Sequence, residues 1–116
     1  MVSPDCLFCR IAAGEIPSTQ VHADDEVIAF RDIAPKAPVH VLVIPRRHIP
    51  SAADLTAADG PLLARMVAVA GDVARREGIA DSGYRIVTNV GADAGQSVAH
   101  LHLHLLGGRR MSWPPG

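Results

Sequence analysis

No charge of one sign dominates this sequence. Eleven Lys and Arg stand against twelve Asp and Glu, for a net charge of −1, so nothing argues for a basic surface that would grip duplex nucleic acid or an anionic membrane. Any anionic ligand must be held by a local site. Long hydrophobic runs are also missing. No stretch approaches the roughly 20 apolar residues needed to span a bilayer, and the opening "MVSPDCLFCR" lacks the basic region and apolar run of a secretory signal. The chain is therefore expected in the cytoplasm, with no membrane and no nucleic-acid partner. Cysteine is scarce: Cys6 and Cys9 alone are present, and a CxxC pair in a reducing compartment points to metal or redox chemistry ahead of a structural disulfide. No repeat or low-complexity tract interrupts the chain, and 116 residues suit one domain, 1–116, with no internal boundary.

What is there is a globular composition, 48% apolar and 20% charged. After Cys6, Leu7, Ile11 and Ala12 fall at helical spacing and Gly14 closes the segment, which predicts one or two helical turns. Residues 19–22 and 25–31 flank a "DD" turn and read as a β-hairpin. "VHVLVIP" (39–45) is apolar almost throughout, as a strand buried on both faces would be. From Pro61 to about Glu77, Leu62, Leu63, Met66, Val67, Ala70, Val73 and Ala74 repeat with a period near 3.6, and Gly78 follows. That is the main helix. Residues 84–90 form another strand, 91–97 a glycine-bearing loop and 98–106 the last strand. Strands in a meander with one crossover helix imply an α+β antiparallel sheet.

Three of the six histidines fall in "AHLHLHLLGG" at alternate positions. On a strand His100, His102 and His104 would share one face, with neighbours about 6 to 7 Å apart, while Leu101, Leu103 and Leu105 enter the core. On a helix both sets would scatter. A solvated polar face, a metal site, and a neutral imidazole nucleophile with a second imidazole beside it all fit such a row. The preceding "GADAGQS" offers backbone N–H groups and a serine hydroxyl, and its glycines allow close approach to a phosphate. Beside the histidines this suggests a phosphate held by Gly95 and Ser97 amides while His102 attacks it.

"HLHLHLL" matches His-φ-His-φ-His-φ-φ, where φ is apolar, and so resembles the histidine triad (HIT) superfamily. "FCRIAAGEIPS", "FRDIAPKAPVHVLVIPRRHI", "GQSVAHLHLHLLGGRRMSWPPG" and the "WPPG" ending extend the likeness to its Hint branch, the histidine triad nucleotide-binding proteins, nearly end to end. The resemblance implies a HIT-like fold with a five-stranded antiparallel sheet, one long and one short helix, and a homodimer joining two sheets into ten strands. It also implies purine nucleoside phosphoramidase chemistry, cleaving the P–N bond of substrates such as AMP-lysine or AMP-NH2 to release a nucleoside monophosphate. In that scheme His102 is the nucleophile and forms a nucleotidyl-imidazole. His104 hydrogen-bonds the phosphate and assists the leaving amine, and His40 supports it. Asp32 accepts the ribose hydroxyls, Phe30 and Ile33 wall the base pocket, and Asn89, Gly95, Gln96 and Ser97 position phosphate and sugar. Trp113, in the tail at about 107–116, reaches toward the partner subunit's site. Without the resemblance Asp32 could equally cap a turn before "APKAP", Phe30 and Ile33 would be core, Trp113 a packed or frayed tail, and His22 a surface residue.

Cys6 and Cys9 supply two thiolates on one turn, suited to a tetrahedral zinc that needs two further ligands. The resemblance implies His48 and His100 for those places, giving a structural, non-catalytic Cys2His2 zinc site. Buried small hydrophobes are the alternative for the cysteines. A nucleotide-binding regulatory or interaction module with incidental turnover, and a metal-binding protein whose histidines chelate ions, are the rival functions.

Overall fold

The computed structural model describes residues 5–116, so the first four residues of the expected domain lie outside it. Helix α1 (Leu7–Ala12) begins at Cys6, whose Sγ accepts the Cys9 N–H at 3.3 Å, and its exit turns at Gly14, where φ of 77° favours glycine. Strands β1 (Gln20–Ala23) and β2 (Val27–Arg31) form the expected hairpin, and Asp24 Oδ1 ties the turn by accepting the Glu26 and Val27 amides at 2.8 and 2.9 Å. Strand β3 (Val39–Pro45) is buried at every residue. Two 3-10 turns, Ala52–Asp54 and Ala57–Asp59, lead into α2 (Gly60–Arg76), with Pro61 in its first turn. Strands β4 (Tyr84–Val87) and β5 (Leu103–Gly107) complete the chain.

The five strands make one sheet, antiparallel throughout, in the order β1-β2-β3-β5-β4. This departs from a plain meander at one point: after the α2 crossover the chain first lays down β4 at the edge, then returns to insert β5 against β3. Because strand side chains alternate, each face has its own core. On one face Val27, Val41, Val43, Leu103 and Leu105 meet Met66, Val69, Ala70 and Val73 of α2. On the other, Ile28, Phe30, Leu42 and Ile44 meet Phe8, Cys9 and Ile11 of α1. Burying one such aliphatic side chain stabilises the fold by about 1.5–3 kcal/mol, so the sheet is held from both sides.

Three expectations are corrected. The last strand starts at Leu103, not residue 98, because Leu101 N–H leaves the ladder to donate to Ile49 O at 2.6 Å. The strand from Tyr84 stops at Val87, not residue 90, and Thr88 uses its hydroxyl instead, donating to His102 O at 2.9 Å. Finally, Leu7 and Val67, both counted in the apolar helical spacing, are each 45% exposed. The buried residues of α2 are Met66, Val69, Ala70, Gly71, Val73 and Ala74.

Candidate active site and metal centre

The sheet face toward α1 carries the imidazoles. His40 on β3 and His104 on β5 are diagonal neighbours, since Leu42 pairs with His104 and His40 with Leu106. His102 lies one step before β5, buried, its ring centroid 5.0 Å from that of His104. His102 and His104 line a cavity of about 290 Å³ whose other walls include Leu7, Phe8, Ile11, Phe30, Asp32, Leu42, Ser97 and Val98.

Hydrogen-bond partners fix which ring nitrogen holds each proton. A carbonyl only accepts, so His102 carries its proton on Nδ1 and donates it to His100 O at 2.7 Å, which leaves Nε2 with a lone pair. Lys36 N–H donates to His40 Nδ1 at 3.0 Å, so neutral His40 is protonated at Nε2 and donates to His104 Nδ1 at 2.9 Å. His104 is then protonated at Nε2. One ring offers an electron pair and the next a donor.

Burial is the main reason that His40 and His104 resist protonation. It outweighs the opposing charge of Asp32, and His104, with His102 and His40 also adjacent, is brought down to about 4. Both are neutral near pH 7, as the donor chain requires.

Asp32 does two things. Its Oδ1 accepts Ala34 N–H at 2.8 Å, the turn cap weighed from the sequence, while Oδ2 stands 3.5 Å from His40 Nε2. Phe30 is buried behind the cavity, whereas Ile33 projects fully exposed at its rim. Asn89 lies with His40 and His104 around a neighbouring hollow. The amides of Gly95 and Gln96 are engaged within the loop, donating to Ala92 O and Gly91 O at 3.0 and 3.1 Å. The Gln96 side chain staples that loop, donating to Pro50 O and Val98 O and accepting Gly91 N–H. The expected phosphate amide of Gly95 is thus already used, at φ of 82°, to make the turn that brings Ser97 to the cavity. Trp113 is 82% exposed and away from the cavity lining of its own chain. His22 is half-buried against Asp24, 2.7 Å away.

The third imidazole turns elsewhere. Fully buried His100 donates from Nε2 to Pro45 O at 2.8 Å, leaving Nδ1 with a lone pair 3.2 Å from Cys6 Sγ, 3.4 Å from Cys9 Sγ and 3.2 Å from His48 Nδ1. Cys9 Sγ is 3.3 Å from His48 Nδ1. A tetrahedral zinc with bonds of about 2.0–2.3 Å sets neighbouring N and S ligand atoms roughly 3.3–3.8 Å apart, close to this set. The cysteines are buried and unlinked by a disulfide. The cluster therefore fits a zinc ion, with the Pro45 carbonyl orienting one ligand from behind. Asp32, His40 and His104 also converge, but a cation on His40 Nε2 would force the proton onto Nδ1, against the Lys36 N–H. Hydrogen bonding accounts for that trio.

Leu7, Phe8, Ile11, Leu42 and Val98 were not foreseen at the cavity. For Leu7, Phe8 and Ile11 the one sequence signal is the helix that follows Cys6, and Leu42 lies on the buried strand from Val39. The backbone carbonyl that the resemblance implies behind the His102 ring is that of His100, whereas Lys36 N–H and the Pro45 carbonyl leave no signal.

Residues 5–113 match a family model described as scavenger mRNA decapping enzyme C-term binding. The purine nucleoside phosphoramidase of Escherichia coli K12 is 47% identical over 108 residues, 93% of this chain and 91% of that protein. Among solved structures, a HIT family hydrolase from Legionella pneumophila superposes with a TM-score of 0.95 at 53% identity, covering 97% of this chain and all of the other. A histidine triad protein from Clostridium difficile gives 0.93 at 42%, covering 97% of each.

Proposed function

The chain belongs to the histidine triad family, and from that premise we propose that it is a hydrolase cleaving the P–N bond of purine nucleoside 5'-phosphoramidates through a covalent histidine intermediate. The observation that carries this is the pair of opposed ring states: a lone pair on His102 Nε2 beside the Nε2–H of His104, on one cavity. In the first step His102 Nε2 attacks phosphorus, and a P–N bond to the ring forms as the P–N bond to the amine breaks. The Nε2–H of His104, held there by the His40 hydrogen bond, stabilises charge on the phosphate oxygens and positions the water that gives its proton to the departing amine. The hydroxide left from that water then attacks phosphorus, the bond to His102 breaks and a nucleoside monophosphate leaves, with the His104 proton in place throughout.

Asp32 Oδ2 would accept the ribose hydroxyls while Oδ1 keeps its turn, and Phe30 and Ile33 would flank the base. Ser97 and Asn89 would contact phosphate and sugar, with Gly95 and Gln96 shaping the loop that brings Ser97 there. Cys6, Cys9, His48 and His100 would hold a structural zinc. Bound there, it would cross-link α1 to the segments around residues 48 and 100. The exposed Tyr84 on edge strand β4 and the exposed Trp113 support a homodimer that extends the sheet and brings each tail to the other site. The protein would act as one domain in the cytoplasm. No helix of the described residues is long and apolar enough to cross a membrane.

The test is hydrolysis of a fluorogenic adenosine 5'-phosphoramidate by wild type and His102→Ala, with binding followed in parallel. Turnover by wild type, with binding but a loss of roughly 10³-fold or more in kcat for the variant, is expected of a removed nucleophile. Binding without turnover by wild type would leave a nucleotide-binding module in its place.

A further inference from the structure

The tautomer chain does not begin at a histidine. It begins at the Lys36 amide, in the exposed loop between Asp32 and Val39. Two prolines, Pro35 and Pro38, deprive this loop of donors, so its shape depends on what its remaining backbone groups reach. Lys36 N–H reaches His40 Nδ1. On the other side of the same residue, Lys36 O accepts two hydrogen bonds from one side chain, Arg109 Nε at 3.2 Å and Nη2 at 3.0 Å. The remaining Arg109 nitrogen, Nη1, donates to Arg110 O at 3.2 Å.

Arg109 comes within reach because of the glycine before it. Gly108 has φ of 89°, and a Cβ there would stand 2.9 Å from Pro38 Cβ. Only a residue without a side chain lets the strand-to-tail turn close on the loop at this point. The guanidinium fork then holds the loop from outside, its two N–H groups fixed in one plane, a constraint that an ammonium on a flexible stem supplies only in part.

We infer that Arg109 is a positioning residue for proton transfer: by clamping Lys36 O it keeps Lys36 N–H on His40 Nδ1, and so sets the proton on His104 Nε2. The inference rests on the hydrolase reading for its kinetic consequence, but not for its structural one. With the clamp gone, Lys36 swings away and His40 Nδ1 loses its donor. His40 then takes either tautomer, and in the form protonated at Nδ1 it no longer donates to His104, whose own proton is free to move to Nδ1. In that state the donor at the phosphate is lost.

The experiment is long-range proton–nitrogen correlation NMR of the ring nitrogens of His40 and His104, on the full-length protein as purified, with kcat and KM measured on the same samples. Wild type should show both rings protonated at Nε2. Arg109→Ala should show mixed tautomers and a kcat lower by about tenfold, part of the roughly 10²- to 10⁴-fold that positioned proton transfer contributes, with KM within twofold. Arg109→Lys should recover part of both, and Arg110→Ala should match wild type. Unchanged tautomers in Arg109→Ala overturn the inference, whether or not kcat falls, because a merely structural loss would lower activity without moving those protons. If wild type fails to hydrolyse phosphoramidates but Arg109→Ala still shifts the tautomers, the positioning role stands and the hydrolase reading falls.

Discussion

The carbonyl oxygen of His100 lies 2.7 Å from Nδ1 of His102, so the residue whose ring joins the cysteine cluster also aims the ring expected to attack phosphorus. Side chain and backbone of one residue thus join two sites. The sheet supplies the rest of the alignment, since β3 and β5 pair in a register that makes His40 and His104 diagonal neighbours.

The first prediction concerns the metal. Purified protein should carry about one zinc per chain, and chelation or Cys9→Ala should lower stability by about 3 kcal/mol or more, because site-forming energy absent from the unfolded chain is folding energy. Elemental analysis and thermal unfolding check this. Activity should fall through kcat as His100 loosens. A metal-free protein with unchanged melting would remove the structural role.

A second prediction follows from His104. Burial first, then the neighbouring imidazoles, hold its folded-state value near 4 against an ordinary 6.5. The unfolded state therefore binds more protons between these values, so stability is intact above about pH 6.5 and declines as pH falls toward 4, by at most about 3 kcal/mol from this group. His104→Gln should flatten that part of the pH dependence in denaturant titrations. An identical slope in the two proteins would contradict the assignment.

Asp32 separates turn from ligand. Asp32→Asn keeps an oxygen for Ala34 N–H but loses the charge facing the cavity, so the fold should survive with melting within a few degrees. Nucleotide affinity should weaken by about tenfold, equivalent to about 1.4 kcal/mol for a lost charge-assisted hydrogen bond. Calorimetric titration with a purine monophosphate measures it, and unchanged affinity would assign Asp32 to the turn alone.

Phe8 is buried with its ring edge-on to Phe30, His100 and His102, at centroid distances of 5.5, 6.1 and 5.1 Å. Phe8→Ala should cost about 3–5 kcal/mol and reduce kcat, because it opens a void against His102. Phe8→Leu should recover most of the stability. Denaturant unfolding and steady-state kinetics, read together, distinguish loss of packing from loss of aim.

Much of this was legible from side-chain pattern. The hairpin, the buried strand from Val39, the α2 segment and the alternation of leucine with histidine all follow from periodicity, and Leu101, Leu103 and Leu105 do enter the core. The resemblance supplied what periodicity lacked: that His48 would meet Cys6, Cys9 and His100, from distant parts of the chain. What stayed hidden was set by backbone groups. The row of histidines breaks between strand and approach because the Leu101 amide finds Ile49 O, and the loop glycine read as a phosphate donor turns its amide to Ala92. Neither choice has a side chain to announce it.

The alternation of leucine and histidine from Leu101 to Leu105 also bears on faults in folding. A slip of one residue between β5 and β3 would drive imidazoles into the aliphatic layer under α2 and turn leucines toward the cavity. No partly working arrangement lies between these two registers, so the population should divide into competent molecules and inert ones. Burst amplitude, which counts chemically competent copies, would then serve as a direct census of strand-pairing fidelity in any preparation of this protein.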